Sequence, residues 1–274
     1  MKPFGASQRS IVNSQQSIVI KFESLMDKYG LIGYPLGHSF SISYFNEKFQ
    51  NEKIDAEYLN FEIPSIDNFL EILAMNPELK GLNVTIPYKE KVMQFLDRVS
   101  PEARAIGAVN VIKIDNSGGK TVLTGYNSDV IGFTDSIKPM LMPYHKKALV
   151  LGTGGASKAI FYALQQLGIE PVYVSRYQRP DTIQYETITP DVVKEYSVIV
   201  NCTPCGMFPH IDECPKLPYE AMDSHNILYD LIYNPDKTLF MKNGAKYGAK
   251  TKNGLEMLLL QAFANWEFWT GVRK

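Results

Sequence analysis

The sequence predicts an α/β protein of two domains: an N-terminal α/β domain with a mixed sheet, and a Rossmann-like domain with a doubly wound parallel sheet. Three observations carry this. Short apolar strands alternate with helical patterns along most of the chain. Two strand patterns, AVNVIKI (108–114) and TVLTGYN (121–127), are joined by the turn NSGGK. Residues 146–176 read strand, glycine-rich turn, helix, strand, and their ALVLG run is near-continuously apolar, as in a parallel strand covered on both faces.

The elements follow in order. KYGLIGYP begins a strand at Lys28, and Gly33 and Pro35 end it. Ser39 to Gln50 reads as a helix, with Ser39 or Ser41 as the cap and Ile42, Phe45 and Phe49 at helical spacing. AEYLNFEI (56–63) alternates as a strand. Ile66, Phe69, Leu70 and Leu73 mark an amphipathic helix over Ile66–Met75. GLNVTIP (81–87) is a strand, and Pro87 stands where a helix can begin. A second unit starts near Asp129. SVIVNCTP (197–204) and NILYDLIY (226–233) are further buried strands. Leu255 to Trp269 is apolar almost all round, so this helix is expected to be buried between the two units.

The expected division is 26–128 plus 255–274 for one unit and 129–254 for the other. Residues 1–25, rich in Ser and Gln, read as an extension that function does not need, although IVIKF could add an edge strand. The stretch lacks the continuous apolar core of a secretion signal.

Composition narrows the function classes. Lys plus Arg is 28 against 29 for Asp plus Glu, a net charge of −1. Phosphate-backbone binding needs a basic excess, so nucleic acid is not expected as a partner. Mean hydropathy is −0.15 and no 18-residue apolar run occurs, so no membrane partner is expected either. Three cysteines, Cys202, Cys205 and Cys214, are too few for a disulfide scaffold and fit a reducing cytoplasm.

The turn GTGGAS (152–157) follows a strand and opens a helix. Gly152 permits a tight turn, and Gly154 lets the backbone approach a diphosphate held by free N–H groups at the helix start. Ser157 takes the third fingerprint position, usually a glycine. The next strand ends at Ser175 and Arg176, where an acidic residue would read the ribose of NAD. A guanidinium there pairs with a 2′-phosphate instead, which favours NADP. The segment after it, SRYQRPDTIQYE, is short of helical pattern, so Arg179 could assist or replace Arg176. The bland alternatives are a plain tight turn and a solvated arginine.

Polar groups gather at three strand ends in the first unit. GHSFS carries Ser39 and Ser41, suited to a small carboxylate. NVTIPYK carries Thr85 and Lys89. GYNSD carries Asn127 and Asp129. A lysine beside an aspartate makes an acid/base pair, in which the amine moves a proton and the carboxylate holds and tunes it. Taken singly, each has an ordinary reading: Ser39 as a helix cap, Lys89 as a solvated side chain, Asp129 as a turn residue.

Together these segments resemble one family. GHSFS, GLNVTIPYKE, IGAVNV, GYNSDVIGF, LGTGGASKA, NCTPCGM and NGLEMLLLQAF stand in the order and spacing of shikimate dehydrogenases, over about Lys28 to Gly271. The resemblance implies reversible, NADP-dependent reduction of 3-dehydroshikimate to shikimate, on the route to chorismate and the aromatic amino acids. It implies Lys89 and Asp129 as the catalytic pair. It implies Ser39 and Ser41 as carboxylate ligands, Thr85 and Asn110 as ring-hydroxyl ligands beside Asp129, and Tyr233 and Gln261 as further substrate contacts. It implies Gly152, Gly154, Gly155 and Ala156 as the diphosphate loop and Ser175 and Arg176 as the readers of the adenosine phosphate. Thr203, Gly254 and Met257 would line the nicotinamide side. Ile42 stands where the family's serine motif continues into proline.

Rival readings remain at this point. One is an NAD-dependent quinate/shikimate dehydrogenase, because the hydroxyl that quinate adds needs room near the carboxylate. Another is a non-catalytic, dinucleotide-binding regulatory paralogue, against which Lys89 and Asp129 argue, since a sensor needs no proton donor. Cys202 and Cys205 fit C-x-x-C with His210 and Cys214 nearby, but they fall inside NCTPCGM, and no metal is expected. Phe263, Trp266, Phe268 and Trp269 are expected in the core, and His38 is expected to order its turn. A monomer or homodimer is expected.

Overall fold

The structure is a computed structural model that describes residues 26–37 and 39–272. The readings made for residues 1–25 and for His38 lie outside the described residues.

The first half builds a mixed sheet. In chain order its elements are β1 (Asp27–Gly33), α1 (Phe40–Glu52), β2 (Ala56–Glu62), α2 (Phe69–Met75), β3 (Leu79–Val84), β4 (Arg98–Val99), α3 (Pro101–Ile106), β5 (Val111–Asp115) and β6 (Val122–Tyr126). The sheet order is β2-β1-β3-β5-β6-β4. β1 runs parallel to β2 and β3, whereas β5 is antiparallel to both β3 and β6. The hairpin between β5 and β6 is the one expected at NSGGK. Local chemistry sets the helix ends. Ser100 accepts from the Ala103 amide at the start of α3, Pro101 fills the first position, and Gly107 ends the helix at φ +73°.

The second half opens with α4 (Asp129–Ile137), β7 (Lys147–Leu151), α5 (Gly155–Gln166), β8 (Glu170–Ser175) and β9 (Thr182–Gln184). It continues with α6 (Pro190–Glu195), β10 (Val198–Asn201), β11 (Ile227–Asp230), α7 (Leu239–Lys246), β12 (Lys250–Lys252) and α8 (Leu255–Thr270). Its six strands are all parallel, in the order β12-β11-β10-β7-β8-β9. That is the doubly wound dinucleotide-binding order, whose reversal lies between β7 and β10. β7 and β10 are fully buried except at Lys147, which explains their unbroken apolar runs. The connection from β8 to β9 has no helix, in keeping with the missing helical pattern after Arg176.

α8 returns to the first sheet. The Trp269 indole N–H donates to the Ile112 carbonyl at 3.1 Å and lies on Gly81, where any Cβ would collide with the ring. Trp269 is only 4% exposed, and Tyr29, Phe45 and Tyr58 surround it.

Three expectations need correction. The strand placed at 81–87 ends at Val84, because the chain turns over Thr85–Tyr88, where the Tyr88 amide donates to the Thr85 carbonyl at 2.9 Å. Pro87 opens no helix; a turn follows, and then a 3₁₀ helix at Lys91–Phe95. α8 is not buried all round: Phe263 is 53% exposed and Leu255 39%.

Candidate active site

Lys89 sits on the turn after β3. Tyr88 anchors this turn through a 2.6 Å bond from its hydroxyl to the Ile63 carbonyl, and the Lys89 carbonyl accepts from the Val109 amide at 2.7 Å. The Lys89 side chain therefore leaves a fixed backbone. Its Nζ donates to Asp129 Oδ2 at 2.6 Å.

Asp129 is the first residue of α4 and is 2% exposed. A buried carboxylate must have partners, and this one has them on both oxygens. Oδ1 accepts from Asn110 Nδ2 at 3.0 Å and from Gln261 Nε2 at 2.8 Å. Its own amide donates to Asn127 Oδ1 at 3.0 Å. Asn110 Oδ1 in turn accepts from the Ser128 amide at 2.7 Å. α4 and α8 cross closely because residue 132 is glycine: a Cβ there would collide with the Met257 carbonyl and with Gln261. That close crossing is what brings Gln261 onto Asp129.

Beside this pair opens a cavity of about 420 Å³, within the range for small-molecule sites. It lies outside the carboxyl ends of β1 and β3, where the strand order of the first sheet reverses. Ser39, Ser41, Thr85, Lys89, Asn110 and Gln261 all line it. Ser39 occupies the N-cap position of α1 but makes no capping bond. Met207 and Tyr233 close the wall from the side of the parallel sheet. The Tyr233 ring stands edge-on to Phe40 at 6.5 Å between centroids.

The glycine turn lies next to Lys89. Gly152 ends β7 at φ +105°, a conformation L side chains rarely adopt, so the tight turn requires glycine. Gly154 precedes α5 with open space at its Cα, and the α5 N–H groups are free to face an anion. The hydroxyl of Ser157 donates to the Gly154 carbonyl at 2.6 Å. A small, fully buried serine thus serves where the fingerprint has its third glycine. Thr203 follows β10 across the strand reversal, and a Cβ on Gly152 would touch its methyl at 3.0 Å. Ala156 lies in the first turn of α5.

Arg176 is exposed at the end of β8, with its guanidinium 5.9 Å from the Tyr177 ring centroid. Ser175 is buried and accepts from the Tyr177 amide. Arg179 reaches back to the glycine turn and donates to Thr153 Oγ1 at 3.1 Å. Gly254 begins α8 against the Leu231 carbonyl, leaving no space for a side chain. The Met257 side chain packs into the core under the parallel sheet, 4% exposed. Burial pushes the thiols of Cys202 and Cys205 upward, away from the thiolate that metal binding or redox exchange needs.

Several site residues escape the sequence reading. Asn83 lines the cavity and accepts from the Tyr58 hydroxyl at 2.8 Å. It stands two residues before Thr85 on β3, so strand alternation puts the two on one face. Asn265 lines the cavity one helical turn beyond Gln261.

Residues 31–112 match the family model described as the shikimate dehydrogenase substrate binding domain. A relative from Caldanaerobacter subterraneus subsp. tengcongensis named shikimate dehydrogenase (NADP(+)) is 37% identical, over 92% of this chain and 94% of its own. A protein of the same name from Carboxydothermus hydrogenoformans is 39% identical, over 89% and 91% of the two chains. The crystal structure of shikimate dehydrogenase from Aquifex aeolicus superposes with a TM-score of 0.78 at 32% identity, covering 96% of each chain. The structure of the Thermus thermophilus enzyme in complex with NADP(H) and shikimate gives 0.78 at 29% identity, over 90% of this chain and 95% of that one. The chain belongs to the shikimate dehydrogenase family.

Proposed function

We propose that the protein is an NADP-dependent shikimate dehydrogenase that reduces 3-dehydroshikimate reversibly to shikimate, and that Lys89 and Asp129 are its catalytic pair. The single observation carrying this is the 2.6 Å Lys89–Asp129 contact at a cavity wall, with the glycine turn beside it. The relatives named for this activity support the reading.

The residues around the glycine turn fit a dinucleotide: a glycine-only φ at Gly152, open space at Gly154 and unpaired helix-start amides. Gly152, Gly154, Gly155 and Ala156 would hold the diphosphate. Ser175 and Arg176, with Arg179, would hold the adenosine phosphate, and Thr203, Gly254 and Met257 would lie toward the nicotinamide. When bound, the reduced nicotinamide supplies a hydride to the ketone carbon.

The chain's own residues then do the rest. Negative charge grows on the ketone oxygen, and the Lys89 ammonium stabilises it and gives up a proton from Nζ. Asp129 keeps that ammonium aimed, and Asn110 and Gln261 keep Asp129 aimed. In the reverse direction the amine takes the hydroxyl proton. Ser39 and Ser41 hold the carboxylate, Thr85 and Asn110 hold ring hydroxyls, and Tyr233 and Gln261 bound the ring. Residues 26–128 with the terminal helix form the substrate half, and 129–254 the cofactor half.

The test is purified protein with shikimate and then quinate, each with NADP and NAD, read by absorbance of the reduced nicotinamide. Shikimate with NADP is expected to be fastest. Equal or faster turnover of quinate with NAD would favour the quinate/shikimate reading. Dinucleotide binding without turnover would favour a regulatory paralogue.

A further inference from the structure

The carboxyl ends of β10 and β11 meet at two buried polar side chains that the chemistry above does not use. Asn201 and Asp230 are the last residues of these strands, stand opposite each other in register and are fully buried. Asp230 Oδ1 accepts from Asn201 Nδ2 at 3.0 Å and from the Ile232 amide at 3.1 Å. Its Oδ2 accepts from the Thr238 hydroxyl at 2.6 Å. All three donors are neutral, and no basic side chain pairs with this carboxylate among the described residues. Such burial is costly. An apolar residue is the ordinary occupant of a buried strand end, as Leu151 is at the end of β7.

The carboxylate fixes the loops that follow. It accepts at both oxygens and donates nothing, so Asn201 must turn its Nδ2 toward it. Asn201 Oδ1 then faces Thr203, where it accepts from the amide at 3.1 Å and from the hydroxyl at 2.6 Å. Thr203 Oγ1 in turn accepts from the Cys205 amide at 3.3 Å. The second bond, from Ile232, holds the residue next to Tyr233, and the Ile232 carbonyl accepts from the Gly254 amide at 3.1 Å. The two loops meet again where the Phe208 amide donates to the Asn234 carbonyl at 3.3 Å. One carboxylate thus joins the loop of Thr203 and Met207 to the loop of Tyr233.

Resting on the proposed reading of this site, we infer that Asp230 is a positioning residue: through Asn201 it fixes the Thr203–Cys205 turn on the nicotinamide side, and through Ile232 it fixes the wall that carries Tyr233. Asp230 is fully buried, so it touches neither ligand itself. Its contribution is the placing of two loops, and a side chain that makes the same bonds does the same work. Asp230→Asn keeps a carbonyl for Asn201 and Ile232 and turns its amide to Thr238. Asp230→Ala keeps none of these bonds.

The test uses Asp230→Ala, Asp230→Asn and Asn201→Ala in the full chain. The first readout is amide hydrogen exchange without ligands, referred to the Leu149 and Val150 amides of β7. Asp230→Ala is expected to speed exchange at Thr203, Cys205 and Ile232 about tenfold, the scale of one lost hydrogen bond. Asn201→Ala is expected to do so at Thr203 and Cys205 but not at Ile232, and Asp230→Asn at none of them. The second readout is turnover of shikimate with NADP. Asp230→Ala and Asn201→Ala are each expected to lower kcat about tenfold, and Asp230→Asn to stay within about twofold of wild type. The dissociation constant for NADP is expected to change less than about threefold, because the diphosphate and the adenosine phosphate are held by other loops. Should Asp230→Ala fail to fold, Asn201→Ala set against Asp230→Asn decides the same question. Wild-type kcat in Asn201→Ala would overturn the inference. So would exchange that rises equally in β7 and at Thr203, the mark of a packing residue, or a loss in Asp230→Asn as large as in Asp230→Ala. Absence of turnover in the wild type would instead refute the underlying function, while the exchange rates, taken without ligands, still test the positioning.

Discussion

Gly155 packs against the aliphatic stem of Lys89: a Cβ added at Gly155 would lie 3.3 Å from Lys89 Cβ and 3.6 Å from Cδ. The first residue of α5 and the proposed proton donor therefore share one contact. Lys158, one turn along, reinforces it by pairing with Glu90 at 2.7 Å. Gly155→Ala is expected to push the lysine stem aside by a few tenths of an ångström and to lower kcat by up to about tenfold, less than the roughly 100-fold of a 1 Å misplacement. Gly154→Ala has open space and an ordinary φ. It is expected to leave the fold and kcat nearly intact while raising KM for NADP. Steady-state kinetics of the two variants check this, and identical profiles would contradict it.

The two arginines at the end of β8 are expected to select the cofactor. Arg176→Ala or Arg179→Ala should each weaken NADP by about tenfold or more, as for a charge-assisted bond, and barely touch NAD. The measured quantity is the ratio of kcat/KM for the two dinucleotides. A parallel loss with both would assign these side chains to structure.

Asp230 gives a pH prediction. It ends β11 and is fully buried, and burial lifts its pKa to about 6, against the bonds from Thr238, Ile232 and Asn201 that favour the carboxylate. In the unfolded chain the value is about 3.9. Between these pH values the folded state binds more protons, so stability falls as pH rises through the window and stays lower above it. The difference is of the order of 3 kcal/mol. Asp230→Asn fits the same bonds, since the Thr238 hydroxyl can turn to accept. The variant is expected to lose less stability than wild type between pH 4.5 and pH 7. Urea unfolding at the two pH values measures it, and equal losses would contradict it.

The seat of Trp269 tests the packing of the terminal helix. Gly81→Ala forces the indole away from β3, and overpacking of this kind costs about 1–3 kcal/mol. A lower thermal midpoint with unchanged KM values below the transition is expected. A wild-type midpoint would mean that α8 shifts freely.

Much of this architecture is legible in the sequence, for identifiable reasons. β7 and β10 are unbroken apolar runs because both faces are covered. Gly152 announces its turn because only glycine fits its φ. Lys89 and Asp129 appear in separate motifs, but their contact depends on how the turn after β3 meets the start of α4, and no local pattern contains that. Asn83 and Asn265 look like ordinary polar residues until the fold shows that both line the cavity. The strand at 81–84 reads too long because Thr85, Ile86 and Pro87 continue its alternation, whereas the chain turns at Thr85. α8 reads as wholly buried because composition shows how apolar a helix is and not which side solvent reaches.

The central claim is that the amine of Lys89 transfers the proton. Its direct test is kcat for Lys89→Ala beside the shikimate dissociation constant of the same variant. The Asp129 carboxylate keeps Asn110 and Gln261 as partners, so the fold should survive the change. A fall in kcat of about 10²–10⁴-fold, with the dissociation constant changed only a few-fold, is the expected result. Loss of binding with kcat preserved at saturation would contradict it and leave Lys89 as an anchor for the substrate.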